Sequence, residues 1–410
     1  MTISQQDRER LRALAARQAE LAHSPAMEKL RGEWERHGRF EKGARPMIRI
    51  ELWTFEQDVL PPLMRCQGED ARKIERTLLA NMVNHELFDD DTLVPAYYTV
   101  ARRQRFTPFG LAVRRQETSG VGHHFIPYLK DLDEDFHLLG PSDFEASPQA
   151  EKDEISQLQD VFGDLLPVRT AGYSLVCCPT QDIVHIMNME DMYLAMFDTP
   201  ERFGQMMDQL TADYLKFFEM LQQRGLLQSA ARDQHLCQGS YCFTDRLPDE
   251  KEGASLDELW LYMDSQETSG ISPALYARQV FPYYQRVMER FGLVSYGCCE
   301  PVHAIWEPCL SKVKNLAKVS ISPWCDEHYM GERLAGRDIV YLRKPTPNLL
   351  GVGSTLDEDE VRRHFSATAR AARGCCLEIA QRDVYELHNT PDKVRRYVEL
   401  IRQTLERDWQ

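Results

Sequence analysis

The sequence has no long hydrophobic stretch and no concentrated run of basic residues. A transmembrane helix needs roughly 18 consecutive apolar residues, and nothing in the chain approaches that length. Residues 1–21 are polar and charged, where a secretory signal would need an apolar core. Binding to nucleic acid needs clustered Lys and Arg that neutralise phosphates. We therefore expect neither a membrane protein nor a nucleic-acid-binding protein.

The motifs of several common cofactor sites are also missing. The chain has no C-x-x-C, G-x-G-x-x-G, P-loop or H-E-x-x-H pattern, so the usual redox, dinucleotide, nucleotide and zincin sites are not expected. Its 11 cysteines are too sparse for a disulfide scaffold, and three adjacent pairs suit regular cross-linking poorly. These features predict free thiols and a reducing, cytoplasmic compartment.

What the chain does contain is typical of a globular protein. Its 410 residues are 43% hydrophobic and 28% charged, which is enough apolar material for a large core. The 49 Lys and Arg against 64 Asp and Glu give a net charge of −15. This length would fit two or three average domains, but it also fits a single α/β barrel.

The chain divides into a short helical segment and a longer α/β segment. Leucines 11, 14 and 21 recur near helical spacing, and Ser24-Pro25 interrupts the pattern and can start a second helix. Residues 1–45 are therefore predicted to be an N-terminal helical extension, and residues 46–410 a second domain. The acidic run Asp89–Asp91 is interpreted as a solvated turn or a helix cap.

Five consecutive strand-then-helix units fill the C-terminal half. The predicted strands are 259–263, 293–296, 318–321, 339–342 and 375–380. Such repetition implies parallel strands joined by right-handed crossovers. With the earlier strand-like segments, it predicts an α/β fold, namely a (β/α)8 TIM barrel. Hairpin insertions are expected at 121–129 and around His235.

In a barrel of this kind, the functional residues lie on the loops that follow the carboxyl ends of the strands. Cys375 and Cys376 lie at the opposite end of their strand and are interpreted as packing residues. The rule selects a mixture of thiols, carboxylates and cations: Asp264, Cys298, Cys299, Glu300, Cys325, Asp326, Arg343, Lys344, Arg382 and Asp383.

Gly297-Cys298-Cys299-Glu300 is the most specific local feature. A thiolate beside a carboxylate can bind Zn²⁺, with further ligands from other strand ends such as Cys325 or Asp383, and an open position for substrate. A nonmetal role in an active site is an alternative, as is a pair of inert cysteines beside an ion-paired glutamate. The predicted metal ligands are Cys298, Cys299, Glu300 and Asp383.

Two further groups have open interpretations. Adjacent cations at Arg343 and Lys344 suit a carboxylate or phosphate of a ligand, and the alternative is a salt bridge to Asp383 or Asp326. His235-x-Cys237, with Cys242 nearby, could bind a metal, but one His and one Cys two residues apart are also frequent by chance.

Five segments, taken in order, resemble the uroporphyrinogen decarboxylase superfamily and especially its corrinoid-dependent methyltransferases. The resemblance covers about residues 160–405 well and 46–130 loosely. The segments are Met189–Glu201, Asp264-Ser265 with Ser272-Pro273 and Phe281-Pro282-Tyr283, Gly297–Glu300, Lys344–Leu350, and Thr390-Pro391.

This resemblance implies a barrel, transfer of a methyl group from a small methylated substrate to a corrinoid carried by a partner protein, and a homodimer. Gly297–Glu300 falls where those methyltransferases carry a zinc-binding H-x-C-G motif, but Tyr296 takes the histidine position and Asp383 falls near the third ligand. The resemblance therefore implies either an altered zinc site or none. Relatives without zinc hold quaternary amines through aromatic rings, which here could come from Trp53, Tyr98, Trp260, Tyr296 and Trp324.

Three functions are left open. In the first, a methyltransferase, Asp264, Glu300 and Asp383 are the predicted catalytic residues, and the predicted substrate-binding residues are Tyr296, Trp324, Arg343 and Lys344. The second is a decarboxylase of a small or tetrapyrrole carboxylic acid, although the arginine-rich R-x-x-G-R motif of tetrapyrrole decarboxylases is absent near residues 51–65. The third is a noncatalytic barrel that binds a ligand or partner in a corrinoid system.

Overall fold

The structure, a computed structural model, describes residues 1–117 and 123–409. Its strands are β1 (Met47–Ile50), β2 (Tyr98–Thr99), β3 (Gln104–Thr107), β4 (Arg115–Glu117), β5 (His123–Phe125), β6 (Asp143–Ala146), β7 (Val168–Arg169), β8 (Leu175–Val176), β9 (His235–Leu236), β10 (Ser240–Tyr241), β11 (Trp260–Met263), β12 (Leu293–Tyr296), β13 (Leu316–Ile321), β14 (Val340–Arg343) and β15 (Cys376–Gln381).

The helices lie between and around these strands. They are α1 (Gln5–Ala22), α2 (Pro25–Gly38), α3 (Glu56–Val59), α4 (Glu69–Val83), α5 (Leu132–Asp135), α6 (Pro148–Phe162), α7 (Pro179–Val184), α8 (Met189–Asp198), α9 (Pro200–Gln223), α10 (Pro273–Gln279), α11 (Phe281–Met288), α12 (His303–Trp306), α13 (Glu327–Leu334), α14 (Asn348–Gly351), α15 (Glu358–Ala371) and α16 (Asp392–Asp408). None of the helices in the described ranges is long and apolar enough to cross a membrane.

The N-terminal segment forms two helices, as its sequence predicts. The Ser24 hydroxyl accepts a hydrogen bond from the Met27 amide, and Pro25 occupies the first turn of α2, where its missing N–H costs nothing. Helix α1 packs against α4 and α6. The indole of Trp34 donates to the Asp91 carbonyl, which fastens α2 to the α/β part. The division into domains 1–45 and 46–410 stays a prediction.

A seven-stranded parallel sheet forms the centre of the α/β part. Its strand order is β1-β15-β14-β13-β12-β11-β8. Strands β11 to β15 correspond to the five strands predicted from the sequence, with ends that differ by at most two residues. All five run in the same direction, so their carboxyl ends, and the loops after them, lie at one edge of the sheet.

The closed eight-stranded barrel is not shown by the hydrogen-bonding pattern. Strand β2 pairs with β7 in a separate ladder, and within the described residues β1 and β8 are the two edges of the sheet. At the free edge of β1, backbone amides form hydrogen bonds with side chains instead of with another strand. The amide of Ile48 donates to Asp91 and the amide of Ile50 to Asp90, each at 2.7 Å. Asp90 and Asp91 are buried, so the interpretation of the acidic run as a solvated turn or helix cap was wrong for these two residues, whereas Asp89 is exposed and caps the helical turn before it. Barrel closure stays a prediction.

Two hairpins lie where insertions were expected. Strands β4 and β5 pair in antiparallel fashion, although part of the predicted 121–129 hairpin, residues 121–122, lies outside the described residues. Strands β9 and β10 form the second hairpin, and Gly239 at its tip has a φ of 80°. A Cβ on Gly239 would lie only 3.1 Å from Ala380 and 3.2 Å from Glu51, so glycine lets the tip pack closely against β15 and the end of β1.

Candidate functional site

The loops after the carboxyl ends of the central strands surround a cavity of about 910 Å³, here called the mouth cavity. Loops separated by more than a hundred residues along the chain therefore meet around one space. The mouth cavity is lined by Trp53, Val176, Cys178, Gln181, Gln238, Tyr262, Asp264, Gln266, Cys298, Cys299, Pro323, Trp324, Arg343, Lys344, Pro345, Thr346, Pro347, Asn348, His364, Arg382, Asp383 and Tyr385.

Asp264 is the most exceptional group of this lining. It follows β11 and is almost completely buried. Its Oδ2 accepts a hydrogen bond from the Tyr262 hydroxyl at 2.5 Å, whereas its Oδ1 has no hydrogen-bond partner among the described residues. Burial raises the pKa of Asp264, and the Tyr262 hydrogen bond and the Lys344 charge oppose that rise only in part. Asp264 is therefore a buried carboxyl group with a raised pKa and with one oxygen that has no partner among the described residues.

Lys344 follows β14 and carries a buried ammonium group without an ion pair. Its Nζ donates to Gln238 Oε1 at 2.5 Å and to the Cys298 carbonyl at 3.2 Å. No carboxylate of the described residues lies within ion-pair distance of this nitrogen, in contrast to most buried lysines. Burial lowers the pKa of Lys344, and the nearby Arg382 adds to this effect. The ammonium group is thus held by neutral oxygens and is available to an anionic or developing negative charge.

Cys298 and Cys299 both line the mouth cavity. Their sulfur atoms are 3.6 Å apart, and Cys299 is the more exposed of the two. The hydrogen bond from Cys298 and the charge of Lys344 lower the pKa of Cys299, which outweighs the effect of burial. The pair therefore presents one thiol of increased acidity to the cavity.

Glu300 points away from the cavity, which changes both roles predicted for it. Its Oε1 accepts from the Ser265 amide at 3.0 Å and its Oε2 from the Cys298 amide at 2.8 Å. The side chain is buried and does not belong to the lining. Burial and the nearby Asp264 raise the pKa of Glu300 to about 7. Glu300 therefore joins the loops after β11 and β12, and its position supports a positioning role rather than contact with substrate or metal.

The predicted zinc ligands do not fit a metal site in this geometry. Nowhere in residues 1–117 and 123–409 do three or more His, Cys, Asp or Glu side chains converge in a way that could hold a metal ion. Both oxygens of Glu300 are engaged by backbone amides, and Asp383 lies against Arg382 at 3.6 Å. The set Cys298, Cys299, Glu300 and Asp383 is thus not arranged as a ligand cluster, and we derive no step through zinc.

Two predicted substrate-binding residues have structural partners instead. Tyr296 is fully buried behind the lining, where its hydroxyl bonds with Ser265 at 2.6 Å and Tyr276 at 2.7 Å. Direct contact of Tyr296 with a ligand in the mouth cavity is therefore not supported. Arg343 reaches the lining, but it pairs with Glu327 at 2.6 Å and donates to three backbone carbonyls. The ion-pair partner of Arg343 is therefore Glu327 and not Asp383 or Asp326, the partners that the sequence suggested.

Trp324 and Asp383 lie at the rim of the mouth cavity. The indole of Trp324 is 74% exposed, so it could cover a ligand but does not enclose one in the present conformation. Asp383 is half-buried and has a φ of 59°, an unusual left-handed conformation for a non-glycine residue. Asp383 comes two residues after the end of β15, and this backbone conformation places it at the rim beside Arg382.

Two residues of the site were missed by the sequence reasoning. Tyr262 lies two positions before Asp264, and the two-residue period of a strand places both side chains on the same face, so this neighbour could have been found. Gln238 comes from the tip of the β9–β10 hairpin, and no local pattern signals its contact with Lys344. Cys237 and Cys242 near it form no metal cluster within the described residues.

Comparisons with known proteins bear on the fold of the chain. No protein-family model matches the chain, and no curated protein matches its sequence. Among solved structures, a methyltransferase from Methanosarcina mazei is similar, with a TM-score of 0.52 and 12% sequence identity over 91% of this chain and 98% of that chain. At this identity the similarity establishes the fold alone. The chain shares an α/β fold with that methyltransferase over nearly its whole length.

Proposed function

We propose that the protein is a methyltransferase that takes a methyl group from a small methylated substrate at the mouth cavity. The observation that carries the proposal is the position of Asp264, a buried carboxyl group that lines a cavity of substrate size at the strand ends and has one oxygen without a partner among the described residues. The fold shared with the Methanosarcina mazei methyltransferase supports the same reaction class. As acceptor we propose a corrinoid protein or a related carrier that docks at the open side of the cavity.

The residues of the cavity suit the charge changes of methyl transfer. As the bond between the methyl carbon and its heteroatom breaks, the electron pair stays on the heteroatom and the methyl group bonds to the acceptor. Burial raises the pKa of Asp264, which favours this carboxyl group as the acid that gives a proton to that heteroatom. Tyr262 keeps the carboxyl group oriented through Oδ2, and Lys344 stabilises the negative charge that develops on the leaving group.

A decarboxylase is the second candidate, and Lys344 is the observation that favours it. An ammonium group held only by neutral oxygens would bind a substrate carboxylate as its counter-ion. Asp264 would then protonate the carbanion that remains after loss of CO2. The predicted anchoring role of Arg343 contributes less here, because Glu327 already neutralises that side chain.

One parallel assay separates these functions. The purified protein is incubated with a panel of methylated amines, ethers and thioethers in the presence of cob(I)alamin, and methylcobalamin is measured by absorbance. A second set of reactions measures CO2 release from carboxylic acids. We expect methylcobalamin formation with at least one donor and none with Asp264→Asn. CO2 release without methyl transfer would favour the decarboxylase, and neither product, with tight binding to a corrinoid protein, would identify a noncatalytic barrel.

A further inference from the structure

A second cavity of about 990 Å³ lies between the two edges of the central sheet, and we call it the seam cavity. It is bounded by the end of β1, the segment around β2, the residues before β8 and the β9–β10 hairpin. Its lining includes Arg49, Glu51, Tyr97, Asp233, His235 and Arg382. The cavity exists because β1 and β8 are not bridged by a further strand in the described part of the sheet.

Arg49 is a cation of the seam cavity that has no ion-pair partner within 4.0 Å among the described residues. Its Nη1 donates to the carbonyls of Gly239 and Ser240 at 3.0 and 2.9 Å, and its guanidinium stacks on the Tyr241 ring at 3.8 Å. Within the described residues Arg49 has no ion pair, and its Nη2 has no hydrogen bond. Every other charged side chain of the lining lies within 4.0 Å of an opposite charge. Arg49 is therefore the one charged side chain of this lining that has no opposite charge within 4.0 Å among the described residues, and the buried Asp90 is linked to it only through the Thr92 hydroxyl.

His235 adds a polar group that is free to bind a ligand. Its side chain is exposed, lines the cavity and has no hydrogen-bond partner among the described residues. Desolvation, together with the charges of Arg49 and Arg382, lowers the pKa of His235 to about 3. The imidazole is therefore neutral, and it can donate one N–H to an anion beside Arg49.

The seam cavity and the mouth cavity adjoin each other. Both are lined by Trp53, Gln238 and Arg382. Arg382 contacts Glu51 at 3.0 Å on the seam side and Asp383 at 3.6 Å on the mouth side, and its Nε and Nη1 make no hydrogen bond within the described chain. A ligand anchored in the seam cavity can therefore extend past Arg382 toward Asp264.

We propose that the seam cavity binds a monocarboxylate, with Arg49 as its counter-ion and His235 as a hydrogen-bond donor. A single cation without an ion pair matches a single negative charge, whereas a dianion such as phosphate would keep a second charge without a partner, because the other cations of the described lining already pair with carboxylates. Apolar and aromatic lining, including Tyr97, suits a hydrophobic body attached to the carboxylate. That this acid is the methyl donor rests on the proposed function, whereas the binding itself rests only on the cavity.

The test compares benzoate with benzamide, which have the same shape but differ in charge, by isothermal titration calorimetry. We expect the wild-type protein to bind benzoate about tenfold more tightly, and Arg49→Gln to abolish this preference while benzamide binding is unchanged. Arg105→Gln is the matched control, because Arg105 is exposed and paired with Glu145 outside both cavities. Equal binding of the two probes to wild type, or a preference that survives Arg49→Gln, would overturn the proposal.

A second variant covers the case in which Arg49→Gln does not fold. His235→Glu places a carboxylate beside Arg49, and we expect it to remove benzoate binding without a loss of secondary structure. Inorganic phosphate that competes as well as benzoate would overturn the assignment to a monocarboxylate. If Lys344→Met removes the benzoate preference and Arg49→Gln does not, the binding site lies in the mouth cavity and the proposal is refuted. These readouts need no turnover, so they can succeed when the methyl-transfer assay fails.

Discussion

Two groups of buried charges belong to the same sheet, one within its strands and one in the loops after their carboxyl ends, and they differ in how completely their polar atoms are paired. Inside the sheet, Lys318 on β13 contacts Glu378 on β15 at 2.6 Å and the Ser240 hydroxyl at 2.8 Å. Ser240 donates to the other oxygen of Glu378, and His37 lies 3.7 Å from the first. Lys318 and His37 hold the pKa of Glu378 below its usual value although burial alone would raise it.

At the carboxyl ends of the strands, the arrangement is the opposite. Asp264 has one oxygen without a partner, and Lys344 has no ion pair within the described residues. Burying polar groups without full pairing costs stability. The pairing of Lys318 with Glu378 therefore suits a structural role, whereas the incompletely paired Asp264 and Lys344 suit a functional one. The comparison indicates that the interior pair fastens the hairpin and the strands, whereas the mouth is kept ready for a ligand.

The largest expected effect is on activity and comes from Asp264→Asn. With any donor that supports turnover, we expect kcat to fall by about 10²–10⁴-fold, since the amide cannot supply the proton. In the wild type, activity should fall as the pH rises through the pKa of Asp264, which is raised from its usual value. The folded-state pKa is raised, so the wild type loses stability as pH rises through it, and Asp264→Asn should then be at least as stable.

Asp383→Asn is the matched control for this prediction, because Asp383 also lines the mouth cavity but is already near Arg382. We expect it to lower activity much less than Asp264→Asn. Equal losses in the two variants would mean that Asp264 has no special role and that the contrast between paired and unpaired groups does not locate the chemistry.

The interior pair should respond in stability instead of chemistry. Lys318→Met leaves Glu378 charged and buried, and we expect the free energy of unfolding to fall by about 3–5 kcal/mol in chemical denaturation. Changing both partners, as in Lys318→Met with Glu378→Leu, should restore much of the loss. If Lys318→Met is as stable as the wild type, the interior pair does not stabilise the fold, and the contrast with the incompletely paired groups of the mouth cavity fails.

The location of the mouth could be predicted from the sequence because it depends on strand direction alone. Five strand-then-helix units imply parallel strands, and parallel strands place all their carboxyl ends together. Asp264, Lys344 and Asp383 reach one cavity for that reason. The ends of the five strands could be predicted to within two residues, because a strand that is buried on both faces gives a continuous apolar run in the sequence.

The orientation of individual side chains could not be predicted. Glu300 follows Gly297, whose φ of 101° turns the loop so that the carboxylate meets the backbone amides of Ser265 and Cys298. Asp90 and Asp91 look like a solvated acidic run, but they replace a neighbouring strand at the edge of β1. Such contacts depend on the three-dimensional path of distant segments, and the local pattern carries no signal for them.

The smallest expected effect comes from Lys344→Met, and it sharpens the comparison most directly. We expect kcat/KM to fall about tenfold, which corresponds to roughly 1.4 kcal/mol of transition-state stabilisation. Stability should change in the opposite direction from Lys318→Met, because the buried ammonium of Lys344 has no ion pair among the described residues and methionine removes its desolvation cost.

The pH dependence of this change has a definite sign. The pKa of Lys344 is lowered in the folded protein, so the unfolded chain binds the proton more tightly, up to its own pKa of about 10.4. The stability penalty is therefore complete below the folded-state pKa and disappears as the pH approaches about 10.4. Denaturation of the wild type and Lys344→Met across this range should give curves that converge at alkaline pH. Curves that stay parallel would show that Lys344 is not a buried, unpaired ammonium, and the contrast with Lys318 would then lose its basis.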